Sequence, residues 1–320
     1  MNIQKKEFET EIKVIYGVLA IDDNEKIGLE SLEDIFFYRL AGILLQLSNI
    51  AAVDLETDLK EILKKIERLN SIRNSTIVRE IEKIDGLLVN NNVDHLWIKG
   101  IRDVLNDKTQ MGLRKMIDSD LLVSKNVDIK TLMDDYGIKQ GNVTMDGHLF
   151  FSSSKDEILE AEQGHYEYVP YVKMLLVDDM IPDDIPLRVV NRYRMFKRDN
   201  NYYTDFVLDI HHALAEGLPF EEGIQNKSYP LMSDIDDLWY CMNKSYYEVI
   251  KGKKKDLQIV LSTIRKFKQC GIKICDIAGR LKCISNEIYN ENVFTFYSKL
   301  ISADNESLDF LVSRLRCIDR

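Results

Sequence analysis

The amino-acid sequence predicts an α+β protein: a small mixed β-sheet with helical N-terminal and C-terminal portions. Two textures predict it. Apolar residues recur at three- and four-residue steps up to about residue 90, and again from about residue 233 to the end. Between these stretches lie short aromatic or β-branched segments separated by Gly, Asn and Asp, the pattern of strands and turns. The expected organisation is a helical region over 1–90, a sheet region over 91–225 and a second helical region over 226–320.

The elements follow in order. SLEDIFFYRLAGILLQLSNIAAV has helical periodicity, and Ser31 followed by Glu33 and Asp34 suits a helix start. DLETDLKEILKKIERLNSI and NSTIVREIEKIDGLLVNN continue the helical pattern. From Asp94, the segments LWIKG, DSDLLV, HYEYVPYVKMLLVDD, PLRVVNRYRMFK and YYTDFVLDIHHAL are expected as strands, with a short helix in TLMDDYGIKQGN ending near Gly137. After Ser233 the chain returns to helices, the first pair broken at Lys251-Gly252. There is no internal repeat and no low-complexity tract.

Composition narrows the function. The 320 residues are 45% hydrophobic and 30% charged, ordinary for a soluble globular protein and enough for one large or two modest cores. A net charge of −10 disfavours long nucleic acid as a partner, since that needs a basic footprint. The five cysteines, Cys241, Cys270, Cys275, Cys283 and Cys317, form no CxxC pair and have no histidine near them in sequence, so they read as reduced thiols on helix faces. MNIQKKEFETEIKV lacks the apolar core of a signal peptide, and no apolar run is long enough to span a bilayer; a cytoplasmic protein without membrane association is expected. P-loop, G-x-G-x-x-G, G-x-S-x-G and HExxH signatures are all missing.

The chemistry concentrates in LWIKGIRDVLNDKTQMGLRKMIDSDLLV. Asp118 and Asp120 stand one residue apart at the head of an apolar run, so a strand would turn both to one face. At about 7 Å and an effective dielectric of about 20 their repulsion costs roughly 2 kcal/mol, which a divalent cation reverses. Asp209, in FVLDIHHAL, is expected on a later strand, where an Asp among apolar neighbours has to be paired or solvated. Three carboxylates on neighbouring strands aimed at one point suit two-metal phosphoryl chemistry, with Mg2+ or Mn2+ bridging carboxylates and phosphates. Lys99-Gly100, at the end of the preceding strand, is a turn able to approach phosphate.

The order of these motifs, Lys99-Gly100, Arg114, then DSDLLV, then LDIHHAL, resembles the uncharacterised bacterial branch of the DNA-polymerase-β-like nucleotidyltransferase superfamily. The likeness covers residues 90–215 in motif. It implies a nucleotidyltransferase palm in which Asp118 and Asp120 match the metal-binding pair and Asp209 the third carboxylate. Gly100 matches the glycine of the phosphate turn, with Lys99 and Arg114 as partners for the triphosphate. The implied activity is Mg-dependent transfer of a nucleoside monophosphate from an NTP, ATP by default, to a hydroxyl or similar nucleophile of a small molecule, peptide or protein, with release of pyrophosphate. Two departures stand out. Lys99-Gly100 replaces the Gly-Ser of better-known members, with a longer separation to the acidic pair, and His212 stands where the family often has Trp. A different class also fits: a catalytically weak nucleotide-binding module that acts through a protein partner, antitoxin-like or regulatory.

Other groups carry two readings. Either His211 or His212 is a proton shuttle or ligand, or His211 is a hydrogen-bonding support for Asp209 with His212 turned to the opposite face. His165 and Glu167, alternating along a strand, line an acceptor pocket or face solvent. Lys251, Lys253, Lys254 and Lys255 are a contact for nucleic acid or an acidic partner, or a solvated helix-helix turn. Arg192, Arg194, Lys197 and Arg198 reach an anionic ligand or form a charged hairpin tip, with Arg192 and Arg194 expected on one strand face.

Overall fold

The computed structural model describes residues 7–22, 25–124, 128–144, 147–151, 155–163, 167–212, 229–252, 257–284 and 291–316. His165, Lys253, Lys254, Lys255 and Cys317 lie outside them, as does the side chain of Cys283. The protein is a mixed α/β structure, and among the described residues no helix is long and apolar enough to cross a membrane. Two compact units are present, one of residues 1–65 with 234–320 and one of residues 66–233.

The N-terminal elements are α1 (Glu9–Leu19), α2 (Leu32–Phe37), α3 (Ala41–Asn49) and the 34-residue α4 (Thr57–Asn90), within which the division between the units falls. The unit of residues 66–233 continues with β1 (His95–Ile98), α5 (Lys99–Asn106), α6 (Gln110–Leu113), β2 (Ser119–Val123) and α7 (Ile129–Tyr136). Then come β3 (Lys139–Val143), β4 (Leu149–Phe151), α8 (Lys155–Glu162), β5 (Tyr171–Val177), α9 (Leu187–Arg192), β6 (Met195–Arg198) and β7 (Asn201–His211). The first unit is completed by α10 (Asp234–Ser245), a π-helical turn over Tyr246–Lys251, α11 (Leu257–Cys270), α12 (Ile274–Ile284), α13 (Glu291–Ile301) and α14 (Asn305–Arg316). There, Lys268 pairs with the buried Glu11 at 2.9 Å, and α14 packs so closely on α1 that a Cβ at Gly17 would lie 2.8 Å from Val312.

Local chemistry explains several boundaries. Asp128 caps α7 by accepting from the Thr131 N–H, and Gly137 ends it in the left-handed conformation at φ 85°. PLRVVNRYRMFK is not one strand. Pro186, with its fixed φ, precedes the short helix α9; the chain turns at Arg194 with φ 58° and only Met195–Arg198 is extended. Arg192 ends a helix and Arg194 sits in a turn, so the strand alternation expected to align them does not exist. Arg198 and Asn201 pair at the end of the β6–β7 hairpin, whose turn residue Asp199 has φ 53°.

The seven strands run in the order β1-β2-β7-β5-β3-β4, with β6 also on β7. β7 is central. It pairs antiparallel with β5 along one edge, while β6 and β2 share its other edge, β6 near its start and β2 parallel to its end. All five residues of β2 are buried, as expected for a strand covered on both faces. Leu121, Val123, Phe206, Leu208 and Ile210 join Trp97, Ile101 and Val104, and Ile77, Ile81, Ile84 and Leu88 of α4, in one apolar cluster. Strand alternation therefore turns Asp120, Asp209 and His211 away from that cluster.

The second half of α4 also supplies polar anchors. Asn70 donates to the Gly112 carbonyl at 3.1 Å, and Asn74 to the Met111 and Arg114 carbonyls at 2.7 and 2.9 Å. Arg73 donates to the Met116 carbonyl at 2.6 Å and pairs with Asp205 at 3.2 Å, both side chains being buried. Asp205 is also bound by Arg194. Breaking a buried, hydrogen-bonded ion pair costs about 3–5 kcal/mol. Arg73→Ala should therefore lose stability on that scale in urea denaturation; a loss below about 1 kcal/mol would show that Arg194 alone satisfies Asp205.

Candidate functional site

The strand register builds the site. Asp120 of β2 lies opposite Asp209 of the parallel β7, and Ile98 of β1 lies opposite Asp120. One residue after Ile98 the chain turns at Lys99, whose φ of 57° is uncommon for a side chain with a Cβ. Lys99-Gly100 does not end a strand; it opens helix α5, whose N-cap residue Ile98 is extended and gives no side-chain cap to the first N–H groups. The Lys99 ammonium is hydrogen-bonded and ion-paired with Asp120 Oδ1 and lies 3.3 Å from His211 Nε2.

His211 is buried between two carboxylates, with Nε2 3.0 Å from Asp120 Oδ1 and Nδ1 3.2 Å from Glu167 Oε1. The supporting histidine expected for Asp209 thus serves Asp120 instead, because the parallel register carries the His211 ring toward β2. Glu167 reaches it through a bridge between Glu167 and His211. His212 packs its ring on Tyr168, with centroids 5.5 Å apart.

Asp209 is half-buried, and its Oδ1 is shielded from solvent without a hydrogen-bond partner among the described residues. Desolvation lifts its carboxyl from 3.8 to about 7; the charges of Asp120 and Asp118 push the same way, and the Lys99 ammonium opposes them. Asp118 stands one residue before β2, half-buried, and is electrostatically coupled to Asp209 and to Arg73. Among the described residues no three His, Cys, Asp or Glu side chains gather as a ready set of metal ligands. A shielded, partnerless carboxylate oxygen beside a second carboxylate is nevertheless the kind of donor pair a hard divalent cation takes.

Gly100 and Arg114 meet beside this group. A Cβ at Gly100 would come within 3.0 Å of Arg114 Nε, so the glycine lets the guanidinium lie against the start of α5. Arg114 is ion-paired with Asp103 of the same helix. The structure therefore sets Lys99 and His211 on Asp120, with Asp209 opposite it on β7 and Glu167 beyond His211, sets Gly100 with Arg114, and leaves Asp118 at the entrance to β2. Sequence reasoning missed Asn70, Arg73 and Asn74, which fix the segment carrying Arg114 toward Asp118. Their signal was a cluster of polar residues in an otherwise amphipathic helix. No family model, curated protein or solved structure matches this chain.

The proton on Asp209 makes a direct prediction. The unfolded chain releases it near 3.8 and the folded protein near 7, so the folded state binds the extra proton between these values. Stability from this group is then greatest at low pH and is lost as pH rises through the window. In the presence of chelator, Asp209→Asn should match wild type near about pH 4 and exceed it by a few kcal/mol near about pH 8, at ~1.4 kcal/mol per tenfold change in protonation. Equal stability at both values would show that Asp209 is not held protonated.

Proposed function

We propose that the protein is a Mg2+- or Mn2+-dependent nucleotidyltransferase, built on a palm formed by β1, β2 and β7. The observation that carries this reading is the pairing of Asp120 with Asp209 beside the helix start at Lys99-Gly100, to which Ile98 gives no side-chain cap. The reaction joins an acceptor oxygen to the α-phosphorus of an NTP, ATP by default, and breaks the bond to pyrophosphate. Asp118, Asp120 and Asp209 would hold the metal. Bound there, it would neutralise triphosphate charge and lower the pKa of an acceptor hydroxyl.

The remaining roles belong to the chain. The first N–H groups of α5, with Gly100 offering no Cβ, receive phosphate oxygens at the positive end of a helix. Arg114, adjacent to Gly100, adds a planar cation with a fixed fork of donors. Lys99 supplies a second cation. His211 fixes Asp120, and Glu167 on its far side suits the acceptor entrance. Catalysis of this kind is mostly positioning and charge neutralisation. The acceptor is a small molecule, a peptide or a protein side chain.

A second reading has its own support. The ammonium of Lys99 on Asp120, together with the lack of a gathered ligand set among the described residues, favours a nucleotide-binding module of weak activity that acts through a protein partner. Turnover separates the two. With labelled ATP, Mg2+ and cell extract as the source of acceptor, the enzyme releases pyrophosphate, and Asp118→Ala and Asp120→Ala each reduce release on the order of 100-fold. Tight nucleotide binding with no pyrophosphate released by wild type would favour the module.

A further inference from the structure

We infer that Lys99 is an internal countercation that makes metal binding at Asp120 depend on nucleotide: its ammonium holds the metal position in the nucleotide-free protein and transfers to the triphosphate when nucleotide arrives. The inference rests on the nucleotidyltransferase reading and deepens it.

Three features place Lys99 in that role. Its ammonium sits on Asp120 Oδ1 and touches the His211 ring, so it approaches the carboxylate next to Asp209. A divalent cation on the same oxygen would lie within about 4 Å of the ammonium, and the two positive charges would repel strongly with so little water between them. The pair is sheltered, with side-chain exposures of 12% for Lys99 and 2% for Asp120, so screening is weak.

Lys99 is also the first residue of α5, where Ile98 gives no side-chain cap and the helix N-terminus offers the phosphate position. One long side chain can therefore serve either anion from one backbone position, by rotation about its own bonds. Its φ of 57° strains a residue with a Cβ, and such strain persists where surrounding structure fixes it. The consequence is linkage. Nucleotide draws Lys99 away from Asp120 and strengthens metal binding, and metal strengthens nucleotide binding by the same factor.

The test is a titration of the full chain with Mn2+, read by loss of the free-ion electron paramagnetic resonance signal, with and without a non-hydrolysable ATP analogue, each set against the same titration without protein so that manganese held by the analogue in solution is not counted. Wild type should bind Mn2+ at least about tenfold more tightly with the analogue. Lys99→Met and Lys99→Gly should each bind Mn2+ about tenfold more tightly than wild type without the analogue, and Lys99→Arg should behave as wild type. Circular dichroism checks folding, and Lys99→Gly relieves the positive φ, so a result is available if Lys99→Met does not fold. If the folded neutral variants bind free Mn2+ no better than wild type while wild type binds it with the analogue, the role given to Lys99 is wrong and the nucleotidyltransferase reading survives. If wild type and variants bind no Mn2+ even with the analogue, both are overturned.

Discussion

Two carboxylates forced side by side, Asp120 on β2 and Asp209 on β7, are the constraint around which the rest of the site is arranged. Parallel pairing fixes them as neighbours on the sheet face turned away from the apolar cluster. Neither can move off without breaking strand hydrogen bonds that lie in the core. Such a pair needs either a cation or a proton. Lys99 provides the first for Asp120, and the raised carboxyl of Asp209 reflects the second.

Support for that pair comes from several directions. His211 bridges Asp120 to Glu167, and β7 pairs along both edges, so the strand that carries Asp209 and His211 is held on each side. Behind β1, Asp85 of α4 accepts from Trp97 Nε1 at 2.9 Å and lies 3.0 Å from His95 Nε2. Residues 229–233 close the outer side of β1, where Trp97 donates its N–H to the Pro230 carbonyl and Arg102 donates to the Met232 carbonyl. This packing sets the end of β1, and therefore the position from which Lys99 turns.

Much of this was legible in the sequence. The D-x-D run and the FVLDIHHAL segment announced two strands because their apolar residues alternate or run continuously, and Gly137 announced a helix end. The pairing of these two strands was not legible from spacing alone, since residues 120 and 209 are joined by a long path through four other strands. Asp205 and Asp209 show the limit most clearly. Both are acidic residues four apart in the same strand. Asp205 is neutralised by Arg73 and Arg194, which arrive from a helix and a turn distant in sequence, whereas Asp209 keeps an oxygen without a partner among the described residues. Only tertiary packing separates a structural carboxylate from a candidate ligand. Helix α9 escaped notice for a local reason: its β-branched residues suggested a strand, and Pro186 before it, the signal of a helix start, was outweighed.

In the function we propose, Asp120 and Asp209 jointly face a divalent cation opposite the Lys99-Gly100 helix start. A crystal structure with Mn2+ and a non-hydrolysable ATP analogue tests it most directly, through the anomalous signal of the manganese. Manganese is expected on oxygens of both carboxylates, with the analogue's phosphates at the first turn of α5. Analogue bound elsewhere, or manganese on the phosphates with both carboxylates left uncoordinated, would contradict it.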